Sequence, residues 1–347
     1  MVSRVLRGRA LYLFLACAAF LYLRSLALRL GEPVVPPTPA PTSQTLDWWP
    51  DQLDAATLQR IAQGQPGLAV AMSFLSVLFG GLLLGGFAFS LWAVWTGHAR
   101  SLWRFTHRRL PPWSLNDLGR VLILILALVV FMPLLRPYLL PGKGLVDLHA
   151  WMAVSMTLLD LLVILMIAAF SASKGWPFWR LFALTRRRYG TALGVGLRAY
   201  ISVFPWLFVA LFLMVEASRR LGWHPPAEPI QELLFHERRA GMVALTAGLA
   251  CLVAPLAEEL FFRGVLYAAL RQRLGWIWAM ALSGAAFALV HTNVLGFLPI
   301  FALGCLLANL YERTGSLTVP VIVHMLHNGL LMSVALVFRQ LLLASGP

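Results

Sequence analysis

Glu258-Glu259-Leu260-Phe261-Phe262-Arg263 sets two carboxylates and a guanidinium at the end of an apolar run, Gly241 to Leu256, that carries no charge. An ionisable side chain at bilayer depth costs about 2.5–3.5 kcal/mol on insertion scales, so it needs a partner or a purpose. Glu259 and Arg263 are four residues apart, on one helix face and in the order that favours an ion pair. Glu258 lies about 100° around the helix from Glu259, off that pair and available for other work. The plain alternative is a cytoplasmic helix end carrying a structural ion pair.

Polar positions recur downstream in equally apolar surroundings. His291 closes the run Trp276–Val290 and shares a helix face with Phe287. His324 and Asn328 lie four apart on the last apolar run, Val319–Phe338, with His327 either a neighbour of the same group or a bundle-facing histidine. A lone histidine in a membrane helix is most often a packing or hydrogen-bonding residue. Glu258, His291, His324 and Asn328 gathered in the last quarter of the chain read as a site. These types suit acid–base work on a water, and Glu258, His291 and His324 are equally acceptable zinc ligands with an open fourth position.

The elements that must position them are membrane helices. Hydrophobic residues make up 60% of the 347, charged residues 12%, and mean hydropathy is +0.77. Apolar stretches of this kind are the signature of membrane spans and exclude an ordinary soluble domain. The runs are Ala10–Leu23, Leu68–Trp95, Val121–Leu135, Leu148–Phe170, Leu193–Val215, Gly241–Leu260, Trp276–Val290, Gly296–Leu310 and Val319–Phe338. They predict an all-α, polytopic membrane helix bundle of about 8–9 transmembrane helices. The organisation expected is an N-terminal anchor or signal peptide over residues 1–30, a proline-rich extracytoplasmic linker over 31–67, additional transmembrane helices over 68–240, and a catalytic core over 241–340.

The net charge of +14 bunches in alternate loops: Arg4, Arg7 and Arg9; Arg100, Arg104, Arg108 and Arg109; Lys174, Arg180 and Arg186 to Arg188; Arg271 and Arg273. The stretch 32–67 instead carries Asp47, Asp51 and Asp54 against Arg60. This alternation predicts a multi-pass protein of the cell membrane with a cytoplasmic N-terminus, and puts Glu258 near the cytoplasmic end of its helix. The arginines serve topology and anionic lipid head groups, and no folded basic surface for nucleic acid is evident. Arg24 and Arg29 interrupt the first segment and favour an uncleaved anchor over a signal peptide. Cys17, Cys251 and Cys305 sit in apolar runs without C-x-x-C spacing and act as small hydrophobes. Gly80, Gly81, Gly85 and Gly86 read as close helix packing. There is no Gly-rich phosphate loop, nucleophile elbow or H-E-x-x-H, and no cofactor is called for.

Three motifs in order, Glu258-Glu259-Leu260-Phe261-Phe262-Arg263-Gly264-Val265-Leu266, then Phe287-Ala288-Leu289-Val290-His291, then Thr314-Gly315-Ser316-Leu317 leading to His324-Met325-Leu326-His327-Asn328, resemble the successive motifs of one family. It is the CAAX protease and bacteriocin-processing family of intramembrane endopeptidases. The resemblance covers roughly Val243 to Val337, under a third of the chain. It implies an endopeptidase in which Glu258 is general base on a water held with His291, His324 and Asn328 stabilise the oxyanion, and Glu259 and Arg263 hold the helix in register. It implies no metal, and as partners a membrane-bound or lipid-proximal polypeptide substrate and the bilayer. The alternatives are a non-catalytic immunity or accessory protein on the same scaffold, a zinc-dependent protease using the same residues, and, more distantly, a transporter.

Overall fold

The computed structural model describes residues 54–97, 110–139, 145–183, 189–222, 229–291 and 294–345, and within them there is no strand. The helices are α1 (Ala55–Gly64), α2 (Pro66–Trp95), α3 (Leu115–Leu139), α4 (Leu145–Ser173), α5 (Tyr189–Arg220), α6 (Pro229–His236), α7 (Ala240–Gly248), α8 (Ala254–Glu259), α9 (Ala268–Val290), α10 (Phe297–Thr314) and α11 (Thr318–Ser345). Two π-helical segments, Leu249–Val253 and Leu260–Tyr267, flank α8 on either side. Eight of the nine apolar runs read from the sequence fall on these helices. The run Ala10–Leu23 lies outside the described residues, as do Cys17, the prolines of 32–42, Asp47 and Asp51, and the arginines at 4–9, 100–109 and 186–188.

Six described stretches are long and apolar enough to cross a membrane: Pro66–Trp95, Leu115–Arg136, Leu148–Ser173, Tyr189–Arg220, Ala240–Val290 and Thr318–Ser345. The fifth holds two of the runs read separately, joined at Gly275, whose φ of 79° is open to glycine and costly for other residues. The exterior is apolar, with Leu84, Leu165, Phe212 and Leu289 all exposed, while Glu259, Arg263, Glu312 and His324 are buried. That inversion is what a lipid solvent asks of a bundle. The helix does not end at Glu258 and Glu259: it runs on through the second π segment into α9, because these charges find partners inside the bundle instead of in a polar loop.

Glycine and proline mark where helices meet closely. Pro205 inside α5 leaves the Ile201 carbonyl without its helical donor. Gly86 of α2 packs against that carbonyl, where a Cβ would collide with it and with the Pro205 ring. One turn on, the Ser90 hydroxyl donates to the neighbouring Ser202 carbonyl at 2.6 Å. Gly80, Gly81 and Gly85 face open space, so of the four glycines expected to pack closely only Gly86 does.

The crossing that fixes the site is α9 on α10. A Cβ on Gly304 would lie 2.9 Å from the Gly284 Cα and 3.3 Å from the Phe287 ring. Gly304→Val is therefore expected to lower stability by about 1–3 kcal/mol, as overpacking does. Gly85→Ala, in open space, should leave thermal unfolding in detergent unchanged or slightly raised.

A polar knot closes the junction of α6 and α7. Arg239 donates from Nε and Nη2 to the Glu237 carboxylate at 3.0 and 2.8 Å, His149 Nδ1 approaches it at 3.1 Å, and Arg339 of α11 donates to the Leu234 and Glu237 carbonyls. The Arg239 guanidinium hydrogen bonds hold the Glu237 carboxyl at about 2, below its ordinary 4.5. A carboxyl lowered on folding stabilises above its unfolded pKa and loses that contribution as pH falls through the folded value. Glu237→Gln should therefore melt below the native protein at pH 7, with the deficit closing as pH is lowered from about 4.5 towards 2.

Candidate active site

The site is assembled around the Glu259 carboxylate. Glu259 Oε1 accepts from Arg263 Nη1 at 2.7 Å and from His324 Nδ1 at 2.9 Å, and all three side chains are buried. The ion pair anticipated from the four-residue spacing is present, and His324 completes it from α11. Arg263 also donates from Nη2 to the Gly304 carbonyl of α10 at 3.1 Å, and its guanidinium lies 4.4 Å over the Phe287 ring of α9. Three elements besides its own are thereby tied to one guanidinium–carboxylate pair.

Glu258 points away from that pair. Its Oε2 stands 3.7 Å from His324 Nε2, too far for a direct hydrogen bond, and makes no hydrogen bond to protein. Its side chain is 27% exposed, with Oε2 itself shielded, whereas the Glu259 side chain is fully buried. His291 sits at the C-cap of α9, its Nδ1 2.7 Å from the Phe287 carbonyl. A carbonyl only accepts, so Nδ1 carries the proton. The same holds for His324 Nδ1 against the Glu259 carboxylate. Each ring then presents Nε2 as its working nitrogen. Phe287 lies between them, its centroid 4.6 Å from the His291 ring and 5.5 Å from the His324 ring. The structure thus joins Glu259, Arg263 and His324 by hydrogen bonds, sets Glu258 3.7 Å from His324 without one, and places His291 and His324 against the same Phe287 ring.

Asn328 lies one helical turn beyond His324 on α11 and is already at work on the backbone. Its Nδ2 donates to the Ala250 carbonyl at 2.9 Å. In the π segment that carbonyl would look to residue 255, which is Pro255 and has no N–H. Asn328 supplies the missing donor and retains a second amide hydrogen. His327 turns the other way, its Nδ1 3.0 Å from the Tyr200 hydroxyl of α5, which resolves it as bundle-facing.

Two groups of residues escaped the sequence reading. Tyr267 and Arg271 converge on Glu312 of α10 at 2.7, 3.0 and 3.1 Å, a polar clamp whose acid lies too far along the sequence from the other two to be paired with them by spacing. Asp160 of α4 comes within electrostatic reach of Glu258. Its signal was available, since it is a single acid inside the apolar run Leu148–Phe170. Among the described residues, no three His, Cys, Asp or Glu side chains gather closely enough to hold a metal ion.

Residues 240–330 match the family model for the type II CAAX prenyl endopeptidase Rce1-like proteins. The chain is 30% identical over 141 residues to an uncharacterized 24.3 kDa protein of Escherichia coli, covering 39% of this chain and 63% of that one. It is 31% identical over 86 residues to the candidate membrane peptidase YdiL of Bacillus subtilis, 25% of this chain and 35% of the relative. It is 36% identical over 85 residues to the membrane-embedded CAAX protease MroQ of Staphylococcus aureus, 22% of this chain and 34% of the relative. The chain therefore spans under two thirds of the first of these and about a third of the other two. No solved structure matches the chain.

Removing one partner of a buried ion pair strands the other and costs about 3–5 kcal/mol. Arg263→Ala and Glu259→Gln should each cut the yield of folded protein and its melting temperature. The double change Glu259→Leu with Arg263→Met, which strands no charge, should recover most of that loss. Equal melting of Arg263→Ala and the native protein in detergent would show that the pair does not hold the bundle.

Proposed function

We propose that this multi-pass membrane protein, whose residues 240–330 match the Rce1-like family model, is an intramembrane endopeptidase whose Glu258 activates water against a peptide bond. The observation that carries the reading is the convergence of Glu258 Oε2 and His324 Nε2 at 3.7 Å, with Glu259 holding the other nitrogen of the same ring. A carboxylate whose Oε2 is shielded and has no hydrogen-bond partner, on a side chain that is partly exposed, is suited to accept a proton from a water admitted to it.

In the reaction, Glu258 takes one proton as the water oxygen bonds to the scissile carbonyl carbon. His291, with Nδ1 committed to the Phe287 carbonyl, offers Nε2 to hold that water. The second amide hydrogen of Asn328 stabilises the oxyanion, and the His324 ring joins it as an imidazolium, with an N–H at Nε2 as well as the one given to Glu259 from Nδ1. Glu259 orients His324 through Nδ1, as a carboxylate does for a histidine working at a substrate. When the C–N bond breaks, the Glu258 proton passes to the departing amine, leaving a carboxylate product and a regenerated base. Cys251 and Cys305 lie in apolar packing, so no covalent enzyme intermediate is assigned to either. The substrate is a membrane-bound or lipid-proximal polypeptide, the location the cell membrane, and the N-terminus cytoplasmic by the charge alternation.

A second reading makes Glu258, His291 and His324 zinc ligands. Its support is His324, whose Nδ1 is engaged by Glu259 while Nε2 stands 3.7 Å from Glu258, although the described side chains do not gather three such groups closely enough to hold an ion. The deciding assay uses purified protein in lipid with a cleavable reporter peptide. Glu258→Gln should abolish turnover, and Asn328→Ala should lower kcat roughly 10²–10³-fold, the scale of one oxyanion donor. Chelators and thiol- or serine-directed reagents should leave the rate unchanged. Loss with a chelator and return with stoichiometric zinc would replace the acid–base reading. Cleavage surviving Glu258→Gln would remove Glu258 from the chemistry, and no cleavage of any reporter would favour a non-catalytic accessory role.

A further inference from the structure

Eight acidic side chains are described, and seven have an assignment. Asp117 pairs with Lys174, Glu216 with Arg220, Glu237 with Arg239, Glu259 with Arg263 and Glu312 with Arg271, Asp54 caps α1, and Glu258 is the proposed base. Asp160 has no assignment. Among the described residues it makes no hydrogen bond and meets no Lys or Arg, in a chain whose net charge is +14. An unpaired carboxylate midway along a membrane helix is costly to keep unless something arrives to meet it.

Its position says where that partner arrives. Asp160 is one heptad from Ala153 and from Ile167, both buried, so it lies on the inward face of α4. Its neighbours Leu159, Val163 and Ile164 pack in one cluster with Leu256, Leu260 and Phe261, the residues that flank Glu258. The two carboxylates are within electrostatic reach of one another, and both are partly exposed, whereas Glu259, Arg263 and His324 are buried. Asp160 and Glu258 therefore form the accessible side of the site, and Asp160 is contributed by a helix outside residues 240–330.

We propose that Asp160 is a substrate-contacting residue that receives a lysine or arginine side chain of the bound polypeptide beside the scissile bond. A basic side chain brings both a counter-charge and hydrogen-bond donors to a carboxylate that has neither. Its alkyl stem lies along the apolar wall formed by Leu159, Val163 and Leu256 while its head reaches the acid. The assignment as a substrate contact rests on the peptidase reading, but the recognition it describes can be measured without turnover.

The full chain in lipid nanodiscs would be titrated with fluorescein-labelled apolar peptides identical except for Lys, norleucine or Glu at one central position, moved along the series. Binding is read by anisotropy and cleavage in parallel samples. The native protein is expected to bind the best-placed Lys peptide about tenfold more tightly than its norleucine twin, the scale of one partly desolvated charge pair. Asp160→Asn should erase that difference without altering the melting temperature. Asp160→Glu should keep it, and Asp160→Lys should transfer the preference to the Glu peptide. Absence of a Lys preference in the native protein, or its survival in Asp160→Asn, overturns the inference. A Lys preference that depends on Asp160 with no peptide cleaved would overturn the peptidase reading while leaving the basic-residue site in place.

Discussion

A carboxylate shut away from solvent must be surrounded by donors, and Glu259 meets that demand from two directions at once. Arg263 reaches it from the next turn and His324 from α11, while Arg263 extends to the Gly304 carbonyl and lies over Phe287. In a bundle whose exterior is leucine and phenylalanine, apolar burial between helices supplies little direction, because lipid is as good a neighbour as another helix. Polar contacts then decide which faces meet. The α9–α10 crossing at Gly284 and Gly304 and the inward turn of α11 are both geometries that this one carboxylate requires.

Much of this was legible in the sequence because membrane burial makes polarity conspicuous. Glu258, Glu259, Arg263, His291, His324 and Asn328 stood out as polar residues in apolar runs, and the four-residue spacing of Glu259 and Arg263 identified their pairing. The choice of His324 as the second ligand of Glu259 was not legible, since it depends on a contact between residues 65 apart. Nor was the continuation of the helix beyond Glu259, because apolar-run reading stops where charges begin. The Glu312 clamp failed for the same reason as His324: spacing rules see neighbours on one helix and not across two. Asp160 differs, since it carried the same signal as the residues that were identified.

The helices before residue 240 are more than a membrane anchor for the rest. Tyr200 of α5 holds His327, Leu181 and Phe182 accept from Leu317 and Thr318 at the start of α11, and Gln272 donates to the Pro111 carbonyl. Val319 and Val323 of α11 pack in one cluster with Phe204 and Leu207 of α5. The placement of His324 along and around α11 is thus shared between its ligand Glu259 and an outer layer of apolar contacts.

The two π segments carry information in their length as well as in their residues. Each holds more residues per turn than an α-helix, so the chain on one side is rotated relative to the other by an amount set by a residue count. Deleting a single position within 249–253 would let that turn relax to α and swing α7 by about 100° against α8. Glu258, His324 and Asn328 would all remain in the sequence, yet the Ala250 carbonyl would leave Asn328 and Val243 would leave the interior. Such a chain would retain every recognisable motif and lose the phase relation that makes them a site, so the spacing between motifs is as much a part of this protein's machinery as the motifs are.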